Sequence, residues 1–332
     1  RLWLGLPVWR ATAQPFGLTP SVLFPSPDFL RRRGRGICLG YMTATSAPDM
    51  NTELLPTLAP LAARYDHLIV DLWGTLHNGI SPLPGAVDCL AQFKSAGLGV
   101  ALLSNAPFRV TGVRDVLDQI GIPDTIYDDI FCSGEIAWHA IADRVDRWHA
   151  KLGRRAAFLG PDRHRPMLDN PGIDAEANIS EADFLLCTGP RNMGESLEDY
   201  LPELEAAAAR NLPMICTNPD REVMRGADRE ICAGALAEAY ETRFGGDVAW
   251  HGKPYRPVFD AVLASIGSPD RARVLMIGDG LGTDIAGAAA AGLDSAFVVS
   301  GIAGERLGVS FGELPEPEKL AEFLQIANAQ PR

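Results

Sequence analysis

L68-I-V-D-L-W-G-T-L-H-N-G79 is the stretch from which the rest of the chain is read. Three aliphatic residues run straight into Asp71, and Gly74-Thr75 turns the chain just beyond. A short apolar run bounded by turn residues predicts a buried strand, here one that delivers an aspartate to its carboxyl end. Two residues after Asp71, where a second carboxylate would assist chemistry, stands Trp73.

Beyond this stretch, N78-G-I-S-P-L-P-G85 supplies turn residues, and residues 86–94 have the apolar spacing of a helix. L98-G-V-A-L-L-S104 predicts a second strand, residues 109–120 a helix stopped by Gly121, and I126-Y-D-D-I-F-C-S-G134 a third strand. A further helix is expected around Glu53–Tyr65. The strand–helix alternation implies parallel β-α-β units with helices on both faces. Between about Ile136 and Asp247 the pattern restarts, with strands in residues 155–160, 182–188 and 212–217 and an Ala/Glu-rich helix over 201–210. It returns with R273-V-L-M-I-G278, a helix over 281–291 and D294-S-A-F-V-V-S300. The expected fold class is therefore α/β, a three-layer Rossmann-like core with a parallel sheet. That core spans 46–135 and 248–332 and is interrupted by an inserted α/β domain over 136–247.

A chain of 332 residues exceeds what one core usually fills, which agrees with two domains. With 47% hydrophobic and 22% charged residues, the composition is that of a soluble globular protein. A net charge of −12 argues against nucleic acid as a partner, because phosphate neutralisation needs clustered Lys and Arg. No stretch approaches the ~18 consecutive apolar residues of a membrane span, so no membrane partner is expected. The six cysteines are scattered and form no C-x-x-C pair. They are read as small buried thiols in a reducing, cytoplasmic setting. The first 41 residues hold six Arg, no Lys and one acid, Asp28; they carry +5, leaving −17 for the remainder. Residues 1–45 are set aside from the fold as a disordered arm or upstream sequence translated in error, with organelle targeting by a processed peptide kept open.

Strand ends carry the chemistry. In open parallel sheets ligands bind beyond the carboxyl ends of the strands, which is where Asp71, Ser104, Asn105, Asp279 and Asp284 fall. Several acids in one crevice call for a hard cation, and Mg²⁺ suits oxygen ligands and phosphate. H251-G-K-P254 adds Lys253 as a cation for a phosphoryl oxygen or for orienting the nucleophile. The set suits phosphoryl transfer, in which positioning and charge neutralisation supply most of the catalysis.

In this order the motifs D71-L-W-G-T75, S104-N105, K253 and G278-D-G-L-G-T-D284 resemble the haloacid dehalogenase-like (HAD) superfamily of aspartate-nucleophile phosphohydrolases. L83-P-G-A86 and T217-N-P-D220, with the long insertion, resemble its subfamily IIA of 4-nitrophenylphosphatase-, phosphoglycolate phosphatase- and pyridoxal phosphatase-like proteins. The resemblance covers about residues 60–305. It implies that Asp71 attacks phosphorus, that Ser104 and Asn105 hold phosphoryl oxygens or the nucleophile, and that Lys253 balances charge. It also implies that Asp71, Asp279 and the Trp73 backbone carbonyl hold Mg²⁺, with Asp284 completing the metal set by orienting a water. The insert would be a C2-type cap, with Asn218 and Asp220 as its substrate- or phosphate-binding residues. Arg109 is a further substrate-contact candidate, set against a role in beginning its own helix.

Trp73 departs from the family pattern, which places there an Asp that protonates the leaving group. Indole does not titrate near neutral pH, so a slow enzyme, or one suited to aryl or acyl phosphates, is expected. His77 is the nearest replacement acid/base, against a plain turn role; Trp73 itself is read as a stacking surface or as packing. D162-R-H-R165 is a candidate anion contact or a solvated loop. The expected partner is a small phosphorylated metabolite (a sugar, nucleotide or cofactor phosphate), and a homodimer stays open. The main competing function is a binding or regulatory protein that keeps the fold and cation site without turnover.

Overall fold

The computed structural model describes residues 11–14, 53–55, 57–225, 228–299, 301–309, 313 and 315–328. The strands are β1 (Ala11–Gln14), β2 (Glu53–Leu55), β3 (His67–Val70), β4 (Gly99–Ser104), β5 (Asp129–Cys132), β6 (Arg155–Leu159) and β7 (Ala175–Glu176). They continue with β8 (Phe184–Cys187), β9 (Met214–Cys216), β10 (Glu222–Arg225), β11 (Asp228–Ile231), β12 (Val248–Trp250), β13 (Val274–Gly278) and β14 (Asp294–Val298).

A seven-stranded sheet runs in the order β2-β1-β14-β13-β3-β4-β5. Its five members from β14 to β5 are parallel, and β1 and β2 add antiparallel at one edge. Every residue of β13 is buried, as are Leu68, Ile69 and Val70 of β3, because helices cover both faces. On one face the helix Ala86–Ser95 presents Ala86, Leu90 and Phe93, a four-then-three spacing that aligns them on one stripe. On the other face Arg256–Ser265 buries Val258, Phe259, Val262 and Leu263. From β3 the chain moves outward through β4 to β5, whereas β13 lies on the opposite side of β3. The crevice between β3 and β13 is thus the topological switch point, where open α/β sheets bind ligands.

A second parallel sheet, β12-β9-β8-β6-β7, and an antiparallel β10-β11 hairpin are built entirely from residues between β5 and β13. The α/β architecture agrees with the sequence expectation. One predicted element does not form: in place of a helix over Glu53–Tyr65 there are β2 and a short 3₁₀ turn, Ala59–Ala63. Pro60 interrupts the helical hydrogen-bond ladder there. Within the N-terminal stretch set aside from the fold, Ala11–Gln14 pairs along β14. Its short A-T-A-Q run carries little pattern of its own and gains its partner from a sheet edge. The other residues of that stretch up to 45 lie outside the described residues. Among the described residues no helix is long and apolar enough to cross a membrane.

Where β5 gives way to the helix Ser133–Asp143, Gly134 lets the backbone pass very close to residues 107–108. A Cβ there would sit 2.4 Å from both the amide N and the carbonyl O of Phe108. Since backbone cannot step aside as a side chain can, Gly134→Ala is expected to cost about 1–3 kcal/mol. Urea unfolding should show a lower midpoint with an unchanged slope.

Candidate active site

Three neighbouring strands bring the site together. Asp71 follows β3, Ser104 ends β4, and Asp279 follows β13. The Asp71 amide donates to the Ile277 carbonyl at 2.9 Å, so the β3–β13 ladder still holds the backbone at Asp71. Gly74, at φ +83°, allows the loop to fold over Asp279: a Cβ would fall 2.1 Å from Asp279 Oδ2.

Lys253 reaches into this crevice from the loop before Arg256–Ser265 and is only 2% exposed. Its Nζ lies 2.5 Å from Asp71 Oδ1 and 2.6 Å from Asp284 Oδ1, and donates to the Leu103 carbonyl at 3.0 Å. Burial works against the ammonium, but the charges of Asp284 and Asp71 outweigh it and hold the proton on. The carboxyls answer in the opposite sense. Burial raises Asp71 despite Lys253, raises Asp284 to about 6, and raises Asp279 further with help from the charges of Asp71 and Asp284. Asp71, Asp279 and Asp284 each offer an oxygen, and these lie within 4.8 Å of one another. One ammonium cannot neutralise so many carboxylates, and the donors are all hard oxygens. The residues therefore fit Mg²⁺.

Asn105 ties this cluster to the second sheet. Its Oδ1 accepts from the Lys253 amide at 2.7 Å, and its Nδ2 donates to the Lys253 carbonyl at 3.1 Å and to Asp220 Oδ1 at 2.9 Å. Expected as a phosphate contact, the Asn105 amide is instead engaged in holding the Lys253 loop and Asp220. Ser104 Oγ accepts from the Ala106 amide at 3.1 Å, leaving its own proton to donate. Asn218 Oδ1 caps the Asp220 amide at 2.9 Å, an Asx-type turn that orients the loop. Ser133 Oγ donates to the Thr217 carbonyl at 2.6 Å and locks that loop beside the core. Asp220, expected as a phosphate ligand, has its Oδ1 engaged by Asn105.

Arg109 is the clear correction among the predicted contacts. Its guanidinium grips Glu135 at 2.7 and 2.9 Å and lies 3.8 Å over the Trp138 ring. Glu135 also accepts from the Val110 amide at 3.0 Å, so this pair fixes the start of the helix Val110–Gln119, and Arg109 does not line the cavity. His77 does stand at the cavity, yet its Nδ1 accepts from the Gly79 amide at 3.0 Å and burial lowers its pKa to about 4. These are the properties of a loop-ordering residue rather than an acid poised near neutrality. Trp73 lies edge-on to His77, with ring centroids 5.5 Å apart. It donates its indole N–H to the Met224 carbonyl at 2.8 Å, a contact with the β10-β11 hairpin that nothing in the sequence signals. From D162-R-H-R165, Arg163 and His164 border the cavity while Arg165 pairs with Glu176. The cavity, about 2290 Å³, opens between the strand ends and the second sheet.

A haloacid dehalogenase-like hydrolase family model matches residues 68–174, and a HAD-hydrolase-like model matches residues 250–321. The structure of a haloacid dehalogenase-like hydrolase from Brucella suis 1330 is 35% identical, with a TM-score of 0.69, over 74% of this chain and 93% of that one. The D-glycerol 3-phosphate phosphatase of Mycobacterium tuberculosis is 27% identical over 73% of this chain; the match spans 65% of that protein, just under two thirds. The ribonucleotide monophosphatase NagD of Escherichia coli is 27% identical over 71% of this chain and 88% of its own length. A glycerol phosphate phosphatase structure from M. tuberculosis in complex with magnesium is 25% identical, with a TM-score of 0.56, over 71% of this chain and 68% of that one.

A site with this surplus of carboxylate should be stabilised by a hard cation. Mg²⁺ at a hundred times its dissociation constant is expected to add about 2.7 kcal/mol, read as a higher Tm than in chelator, and Asp279→Asn should abolish the gain. His77 supplies a second test. Its folded-state pKa of about 4 lies below the unfolded value near 6.5, so between those values the unfolded chain binds more protons. Stability should therefore fall as pH drops from ~6.5 to ~4, by at most about 3 kcal/mol from this residue. His77→Gln should flatten that part of the profile in denaturant titrations.

Proposed function

The chain belongs to the haloacid dehalogenase-like hydrolases, in subfamily IIA, and we propose that within them it is a Mg²⁺-dependent phosphatase of a small organic phosphate. The observation that carries this reading is Lys253 buried between Asp71 and Asp284. Lys253 thereby pulls the nucleophile carboxyl toward its ionised form against burial and aims it beside an oxygen-ligand set at a strand-end switch point. A protein that only bound its ligand would have little need to hold an aspartate this way.

In the reaction Asp71 attacks phosphorus in line with the leaving oxygen and becomes an aspartyl-phosphate, which water then hydrolyses to restore the carboxylate. Asp71, Asp279, Asp284 and the Trp73 carbonyl would hold Mg²⁺, which when bound supplies positive charge against the phosphoryl oxygens. Lys253 spreads further positive charge along the path of attack. The Ser104 hydroxyl, its oxygen already oriented by the Ala106 amide, donates its proton to a phosphoryl oxygen. Residues of the second sheet close the opposite side of the cavity and select what the phosphate is attached to. Relatives named for glycerol 3-phosphate and for ribonucleotides support a small phosphorylated metabolite as that substrate class.

Trp73 favours a second reading, a cation-binding protein without turnover, because its indole N–H is already given to Met224 and cannot protonate a leaving group. Phosphate release over a panel of small organic phosphates separates the two. Wild type with Mg²⁺ is expected to turn over at least one of them, and Asp71→Asn to reduce that rate to background. A panel with no wild-type rate above the Asp71→Asn background would leave the binding reading in place.

A further inference from the structure

Read as a phosphatase site, the cavity still lacks a group to protonate the departing oxygen. Trp73 occupies the position where such an acid would stand and hydrogen-bonds Met224 instead. Five titratable groups that border the cavity are engaged elsewhere. Asp71 and Asp284 flank Lys253, and Asp279 completes the oxygen triad. His77 is bound to the Gly79 amide, and His164 Nδ1 lies 3.2 Å from Thr188 Oγ1.

Asp220 is a bordering carboxyl that a hydrogen bond ties directly to the strand-end residues. It sits on the loop after β9 and lines the same cavity as Asp71 and Asp279. Its position is fixed twice, by the Asn218 cap on its own amide and by Asn105 Nδ2 on Oδ1 at 2.9 Å. Asn105 also grips the Lys253 backbone through both ends of its amide, and Lys253 in turn holds Asp71. Asp220 is therefore registered against the nucleophile through two intervening side chains, although it belongs to the other half of the molecule.

We propose that Asp220 is the proton donor to the leaving group, supplying from the inserted sheet what the side chain of Trp73 cannot supply from the nucleophile loop. The inference rests on the phosphatase reading above and assigns its missing step. Burial favours the neutral carboxyl, and the opposing pull of Lys253 and of the Asn105 hydrogen bond does not cancel it. As the Asp71–phosphorus bond forms and the bond from phosphorus to the leaving oxygen breaks, the electron pair left on that oxygen takes the Asp220 proton. An alcohol departs and Asp220 is left as a carboxylate. When water attacks the aspartyl-phosphate, the phosphorus–Asp71 bond breaks, Asp71 recovers its charge, and Asp220 accepts the proton of the water. Phosphate leaves and both groups return to their starting states.

Asp220→Asn tests this directly, because an amide oxygen still accepts the Asn105 hydrogen bond but the side chain carries no acidic proton. Two substrates are compared: glycerol 3-phosphate, whose alkoxide needs a proton, and 4-nitrophenyl phosphate, whose phenolate leaves without one. On glycerol 3-phosphate kcat is expected to fall ~10²–10⁴-fold, and on 4-nitrophenyl phosphate less than about tenfold. Equal losses on both substrates, or no loss on either, would overturn the proposal, since a merely positioning residue does not discriminate by leaving group. If Asp220→Asn fails to fold, Asp220→Ala is judged on the same ratio of the two losses. If wild type shows no Asp71-dependent turnover of either substrate, the phosphatase reading itself falls and takes this assignment with it.

Discussion

The buried ion cluster of Lys253 with Asp71 and Asp284 is the constraint around which the site is arranged. Taking an ammonium and two carboxylates out of water costs several kcal/mol per ion, and mutual attraction offsets that only when the geometry is tight. Contacts of 2.5 and 2.6 Å, with the Leu103 carbonyl as a third acceptor, meet that condition for Lys253. They do not meet it for the acids. Among the described residues Asp279 has no comparable ion pair, and burial together with the neighbouring charges raises its carboxyl well above the ordinary range. The fold thus holds a site whose electrostatics are incomplete without a further positive charge, which is the state a metal-dependent phosphoryl-transfer centre needs before its metal and substrate arrive.

That cluster also explains why the two sheets have to be considered together. Lys253 lies just after β12, the edge strand of the inserted sheet, yet its ammonium serves the core. Asn105 closes the loop by binding both the Lys253 backbone and Asp220. Ser133 and Thr217 add a second tie between the same loops, the latter donating to the Pro107 carbonyl at 3.1 Å. A displacement of the inserted sheet would therefore be felt at Asp71 through these side-chain hydrogen bonds.

How much of this was legible in the sequence depends on how local each cause is. β3, β4 and β13 are apolar runs buried on both faces, and a strand-end aspartate followed by glycine can be read without knowing what it faces. Asp71, Asp279, Asp284 and Lys253 come together as that reading requires. Arg109 was misread because its partner Glu135 is 26 residues away, and nothing local distinguishes a guanidinium held by a carboxylate from one waiting for a phosphate. His77 looked suited to acid/base work from its reference pKa, but burial, which sequence does not show, moves it to about 4. The β10-β11 hairpin escaped notice because E222-V-M-R225 and D228-R-E-I231 are short and largely polar, and their pairing comes from the fold around them.

Trp73 shows how a site changes when one side chain changes role. Its ring packs so closely over Gly79 that a Cβ there would lie 2.2 Å from the indole, and its N–H reaches 151 residues along the chain to Met224. A carboxylate of Asp size could neither fill that space nor donate to that carbonyl. The indole therefore adds a contact between nucleophile loop and hairpin at the position where the family pattern has a titrating group. Two requirements that an Asp at this position would meet together, proton transfer and proximity to phosphorus, are separated here. Proximity stays with the loop backbone, while proton transfer falls to another group, the role proposed for Asp220 on the loop after β9.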